Sequence, residues 1–151
     1  MDSALRRQVL AYAERHNVMT LATLGPQGPW AAAVFYVNDG LRFYFLSSPR
    51  TRHAEDLAAD PRVSATIQED YRDWPEIQGI QLEGRCAPVE GAELALARAR
   101  YGAKFPVVGR VADAPPAIVA ALAKVRWYAL EPEALYFIDN SVRFGYRARL
   151  L

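Results

Sequence analysis

The chain has 151 residues, a formal charge of +1, two histidines and one cysteine. That is the length of one domain spanning residues 1–151, without the basic or acidic excess that marks a nucleic-acid or strongly charged partner. Cys86 alone excludes an internal disulfide and suits a reducing compartment, and no apolar run approaches the ~20 residues needed to span a bilayer, so a soluble, cytoplasmic protein away from membranes is expected.

Asp2 or Ser3 can cap a helix reaching about Asn17, with Leu5, Val9, Tyr12 and His16 spaced along one face. From Val18 the pattern changes to short β-rich runs. Val18 to Leu24, a turn at Gly25-Pro-Gln-Gly28, Trp30 to Val37, a turn at Asn38-Asp-Gly40, and Leu41 to Ser47 together read as a meander. A helix follows to Asp60, opened by Ser48 as N-cap with Pro49 at the first helical position. Val63 to Glu69 alternates apolar with polar, and Ile77 to Val89 makes a long strand. Gly91 to Tyr101 is an alanine-rich helix, Lys104 to Ala114 is irregular, and Pro115-Pro116 opens a helix to about Val125. Trp127 to Leu130 and Leu135 to Asp139 read as a closing hairpin around Glu131-Pro-Glu133. About six short antiparallel strands with helices beside them define a mainly β, α+β protein built on a small barrel.

The chemistry is narrowed by what is missing. The histidines and the cysteine have no zinc-site spacing, no acidic cluster forms a calcium loop, and there is no phosphate-loop or dinucleotide-binding glycine signature. Cys86 lies mid-strand on the alternation of Leu82 and Gly84, as a small packing residue rather than a nucleophile activated by His53. Any catalysis therefore rests on a borrowed cofactor. Trp30, Trp74, Trp127 and Phe144 are core or interface residues by default.

One segment demands an anion. Arg50, Arg52 and His53 crowd the start of the second helix, where free N–H groups already carry positive partial charge. Glu55 and Asp56 offset part of it, but Ser47, Ser48 and Thr51 beside two arginines also make a phosphate cradle. A solvated helix start with surface arginines is the competing reading. Gln68, Gln78 and Gln81, amides on or beside apolar strands, suit either an exposed face or the edge of a planar heterocycle.

Phe45-Leu-Ser-Ser-Pro-Arg-Thr-Arg-His-Ala-Glu-Asp-Leu57, continued by Asp60-Pro-Arg-Val63, resembles the phosphate-binding segment of the FMN-binding split-barrel family, which includes pyridoxamine 5′-phosphate oxidase. The resemblance runs from about Val18 to Gly145. It implies a six-stranded antiparallel split barrel, a homodimer with FMN at the subunit interface, and an oxidoreductase acting on a small molecule with NADH or NADPH as the electron source. Leu46 and Ser47 would line the ribityl-phosphate path, with Thr51 beside them and Arg52 and His53 in the paired basic positions. The family usually has lysine at the second of these, so the charge at His53 depends on pH. Ala33, Val34 and Phe35 lie in the strand segment that meets the flavin ring. Gly79 stands where the family places its cofactor-facing glutamine, leaving Gln78 or Gln81 as the nearest amide. Asp139-Asn-Ser-Val-Arg-Phe-Gly145 is similar to the C-terminal stretch of a compact bacterial subgroup and adds Phe144 to the expected contacts. The chain ends Arg147-Ala-Arg-Leu-Leu151, without the arginine, leucine and proline motif that binds the vitamin's phosphate, so that substrate is not carried over. A flavin-binding or sensing module without catalysis, and haem or deazaflavin in place of FMN, are the alternatives; His16 and His53 are the only histidines available to haem.

Overall fold

A computed structural model describes residues 2–110 and 113–151. Helix α1 (Ser3–Arg15) is capped by Asp2, whose carboxylate accepts the N–H groups of Ala4 and Leu5, and buries Val9, Tyr12 and Ala13. Strands β1 (Val18–Gly25) and β2 (Gly28–Phe35) form a hairpin, and Gly28 takes a φ of 97°, which a side chain would resist. Strands β3 (Val37–Asp39) and β4 (Arg42–Ser47) lead into helix α2 (Arg52–Ala59) and strand β5 (Arg62–Ile67). A 3₁₀ turn (Trp74–Glu76) precedes strand β6 (Gln78–Pro88); helices α3 (Gly91–Lys104), α4 (Pro106–Gly109) and α5 (Pro116–Leu122) precede strands β7 (Arg126–Asp139) and β8 (Arg147–Arg149).

These strands make one antiparallel sheet of eight, ordered β2-β1-β5-β6-β7-β4-β3, with β8 beside β7. The expected antiparallel, helix-decorated split barrel is present, with two more strands than read from the sequence. Its interior is filled by Met19, Leu21, Phe43, Phe45, Ile67, Ile80, Leu130, Leu135 and Phe137, all essentially inaccessible, with α1 packed over them. Cys86 is buried in the same core, and loss of solvation pushes its thiol up to about 12. It is a packing residue, as its alternation implied.

The structure departs from the sequence reading at four places. The run from Trp30 to Val37 breaks at Tyr36, because β2 and β3 belong to opposite edges of the sheet. Tyr36 makes the crossing: its N–H bonds Asn17 O at 3.0 Å and its hydroxyl donates to Ala13 O at 2.6 Å, pinning the crossover beneath α1. The expected hairpin around Glu131-Pro-Glu133 is instead one continuous strand, β7, whose first half joins β4 to β6. Proline fits there because the β6–β7 register shifts at Glu83/Gly84, where a Cβ on Gly84 would lie 2.0 Å from Glu131 O. The connection from Lys104 to Ala114 contains α4; Val111 and Ala112 within it lie outside the described residues. The start of α2 also moves.

Candidate anion and flavin site

β4 ends at Ser47, which pairs with Arg126 of β7. Ser48, Pro49 and Arg50 then form a turn rather than the first turn of a helix: Thr51 N–H bonds Ser48 O at 3.2 Å, and Thr51 Oγ1 donates to the same carbonyl at 2.9 Å. Thr51 is the true N-cap, accepting Ala54 N–H at 3.3 Å. Both residues have capping chemistry. Thr51 prevails because a helix started there buries Ala54 and Leu57 in the core. Arg50 is thereby left exposed outside the helix, while Arg52 and His53 hold its first two positions.

The Arg52 guanidinium lies 4.3 Å from the centre of the Trp30 ring, and Nη2 donates to Gln27 O at 3.3 Å. Nε of Arg52 is buried without a hydrogen-bond partner, the sole buried side-chain N or O atom in that state among the described residues. Sequence reasoning left Trp30 to the core or an interface; it is the platform that aims this arginine. The backbone N–H groups of Arg52 and His53 also find no acceptor among the described residues, as the start of a helix dictates.

His53 is buried against Ser47, its Nε2 2.6 Å from Ser47 Oγ and 3.3 Å from Thr51 Oγ1. Burial lowers its pKa, with Asp56 pulling weakly the other way, so a neutral imidazole is favoured. Asp56 is itself buried and accepts from Thr23 Oγ1 at 2.8 Å. Its carboxylate fills the space beside Gly25, where a Cβ would lie 1.9 Å from Oδ1. The charge of Asp56 is thus turned into the hairpin, Glu55 in the first turn is exposed to solvent, and the spare donors belong to Arg52 and the first amides of α2. The link from Thr23 and Gly25 to Asp56 is spread over 33 residues, without any local pattern to reveal it.

β2 is an edge strand, so one side of its backbone is unpaired. Ala33 and Phe35 are exposed, and Phe35 rests on Phe105 at 5.2 Å; Val34 points inward and is half-buried against the core. Leu46 is half-buried in a second cluster with Trp127 and Tyr101. Ser47, Thr51, Arg52 and His53 are therefore brought together, with β2 alongside through Trp30.

Gln78 and Phe144 are not with them. Gln78 opens β6 at the far end from Pro88, roughly 33 Å along the strand. Its side chain accepts from Arg15 at 3.4 Å, and its carbonyl from Tyr12 at 3.1 Å. Phe144 is 75% exposed and packs on Trp74, ring centres 5.4 Å apart. Gln81 is exposed on the outer sheet face, beside Ser64 and Thr66.

This combination of a curled antiparallel sheet, an exposed edge strand and a helix start with unpaired donors defines a split-barrel protein. Residues 5–139 match the pyridoxamine 5′-phosphate oxidase family, and the chain belongs to it. A UPF0306 protein of Photorhabdus laumondii is 39% identical over 136 residues, covering 89% of this chain and 87% of its own. Among solved structures, a haem-binding protein from Mycobacterium smegmatis is similar at 26% identity with a TM-score of 0.75, covering 99% of this chain and 58% of that one. HutZ, the haem storage protein of Vibrio cholerae, shares the fold at 21% identity and a TM-score of 0.71, covering 87% and 92%. No described helix is long and apolar enough to cross a membrane, and no described group of His, Cys, Asp and Glu could hold a metal ion.

Proposed function

We propose that the protein binds FMN as a homodimer and is an oxidoreductase for a small molecule. The observation that carries this reading is Arg52, held against Trp30 with Nε buried and unpartnered. A phosphate beside it would accept from Nε and from the first amides of α2. Bound there, FMN would supply hydride or electron transfer, with a reduced nicotinamide as the expected source. This chain's part is to anchor the phosphate at α2, to offer small Ala33 and the unpaired backbone of β2 to the ring, and to keep the buried carboxylate of Asp56 engaged with Thr23.

The dimer is supported by what one subunit leaves open. Trp30, Phe35, Trp74 and Phe144 are 42–75% exposed, and Trp74 packs on Phe144, apolar surface that a second subunit would cover. Gln78 and Phe144, distant from α2 in their own subunit, would serve the site across the interface. Sedimentation of the flavin-loaded protein checks this, a stable micromolar monomer being the adverse result.

Two similar structures bind or store haem, by their names, but the histidines here are poorly placed as axial ligands. His16 uses both ring nitrogens, on Tyr12 O at 2.7 Å and Glu69 Oε2 at 2.9 Å, and His53 Nε2 is held by Ser47. The visible spectrum of freshly purified protein separates the cofactors: two broad near-ultraviolet and blue bands for flavin, a single intense Soret band for haem. Titration with FMN and riboflavin then tests the site. Arg52→Ala should weaken FMN about 10- to 150-fold, the loss of one charge-assisted bond of roughly 1.5–3 kcal/mol, and leave riboflavin unchanged. Equal losses for both ligands would reassign Arg52 to the fold. If neither NADH nor NADPH reduces the bound flavin and no small molecule reoxidises it, the protein is a flavin-binding module rather than an enzyme.

A further inference from the structure

A cavity lies between helices α3, α4 and α5 and the start of β7. Arg98 of α3, Val108 of α4, Val119 and Leu122 of α5, and Val125 and Trp127 at the start of β7 line about 350 Å³, within the range of small-molecule sites. Trp127 is 7% exposed and is held edge-on by Tyr101, ring centres 5.1 Å apart at 88°. The α4 side is fixed by a close approach: a Cβ on Gly109 would fall 2.6 Å from Gly102 O, so α4 seats directly on the α3 backbone. Across Val108 a more open cleft of about 630 Å³ is lined by Arg98 again and by Arg110.

Charge decides what such a cavity accepts. Arg98 has neither hydrogen bond nor ion pair among the described residues, whereas its helix neighbours are engaged, Arg100 with Asp39 at 2.9 Å and Glu93 with Arg42. No carboxylate lines either cleft among the described residues. A neutral apolar guest would leave the guanidinium unused, and a polyphosphate could not be desolvated against Val119, Leu122 and Trp127 without large cost. A single anionic head on an apolar body satisfies both walls.

We propose that this cavity binds a small hydrophobic carboxylate, its head paired with Arg98 and its body laid on the Trp127 ring between α4 and α5. Leu46 and Trp127 are cross-strand partners, so the site is one strand from the segment leading to α2. It stands independently of what binds at Arg52.

The test uses the full-length protein with octanoate and 1-octanol as probes, followed by the indole N–H signals of the three tryptophans and the backbone amides of α5. Octanoate should shift Trp127 and α5 saturably while leaving Trp30 and Trp74 in place, and should bind about 10-fold more tightly than octanol, the worth of one bond to a charged group. Arg98→Gln, an exposed position, should erase that preference without changing the fold. Leu122→Trp should fill the cavity and abolish binding of both probes; should it fail to fold, Val119→Gln serves. Equal affinity for the two probes, shifts confined to other surfaces, or a preference surviving Arg98→Gln would each overturn the assignment.

Discussion

The two ends of this sheet are both rich in polar side chains, and they differ in what those side chains have left to bond. At the α1 end, Tyr12 donates to Gln78 O at 3.1 Å and so accepts from Tyr71, 2.8 Å away; His16 stacks on Tyr12 at 4.0 Å and bonds Glu69; Gln8 reaches Asp139 at 3.2 Å. No described buried side-chain donor there is unmatched, and burial raises the pKa of both tyrosines, keeping them protonated donors. At the α2 end the pairing is incomplete by a buried guanidinium nitrogen and two helix amides. A closed network locks a fold, while open donors at a helix start are left to water or to an external acceptor.

The largest effect should come from breaking the closed end. Tyr12→Ala removes a fully buried ring packed on His16 and Phe137 and leaves Gln78 O unpaired; denaturant unfolding should report a loss of about 3–5 kcal/mol, with the ratio of FMN to riboflavin affinity unchanged. Next is Gly25→Ala, which drives Asp56 from Thr23 and should cost about 1–3 kcal/mol. Adding Asp56→Ala to that variant should cost less than the two changes summed, since they share one contact.

His53 should contribute a pH dependence rather than a large constant term. Its pKa is lowered on folding from an ordinary 6.5, so its share of the stability is complete above pH 6.5 and is lost as pH falls through the depressed folded value. The pH profile of the unfolding midpoint should flatten in that acidic window for His53→Asn. Wild-type and variant profiles of identical slope there would mean that the imidazole titrates freely. The smallest change is expected for Arg52→Ala, within about 0.5 kcal/mol, because loss of its contact with Trp30 is offset by removal of an unpartnered buried N–H. A large loss of stability would make the α2 corner as structural as the α1 end.

Much of the architecture was legible because local chemistry is legible. The alternation of Val63, Ala65 and Ile67, the Gly25–Gly28 hairpin and the face of α1 emerged where the residues predicted them, since strand and helix periods are set by neighbours two to four positions apart. The break at Tyr36 and the continuity of β7 through Pro132 were hidden, because each depends on a partner far along the chain: Ala13 for the former, Gly84 for the latter.

The candidate site divides in the same way. The sequence by itself determined that hydroxyls, arginines and a helix start would be concentrated between Ser47 and His53, and that Cys86 would pack rather than react. Only the tertiary structure decided that Arg50 stays outside while Arg52 is aimed by Trp30, that His53 is buried towards its neutral form, that Asp56 faces Thr23, and that Gln78 and Phe144 stand at the far end. Residue type fixes which bonds a side chain can make. Which ones remain unmade depends on burial and on partners brought from distant segments, and those exist only once the sheet has closed around its core.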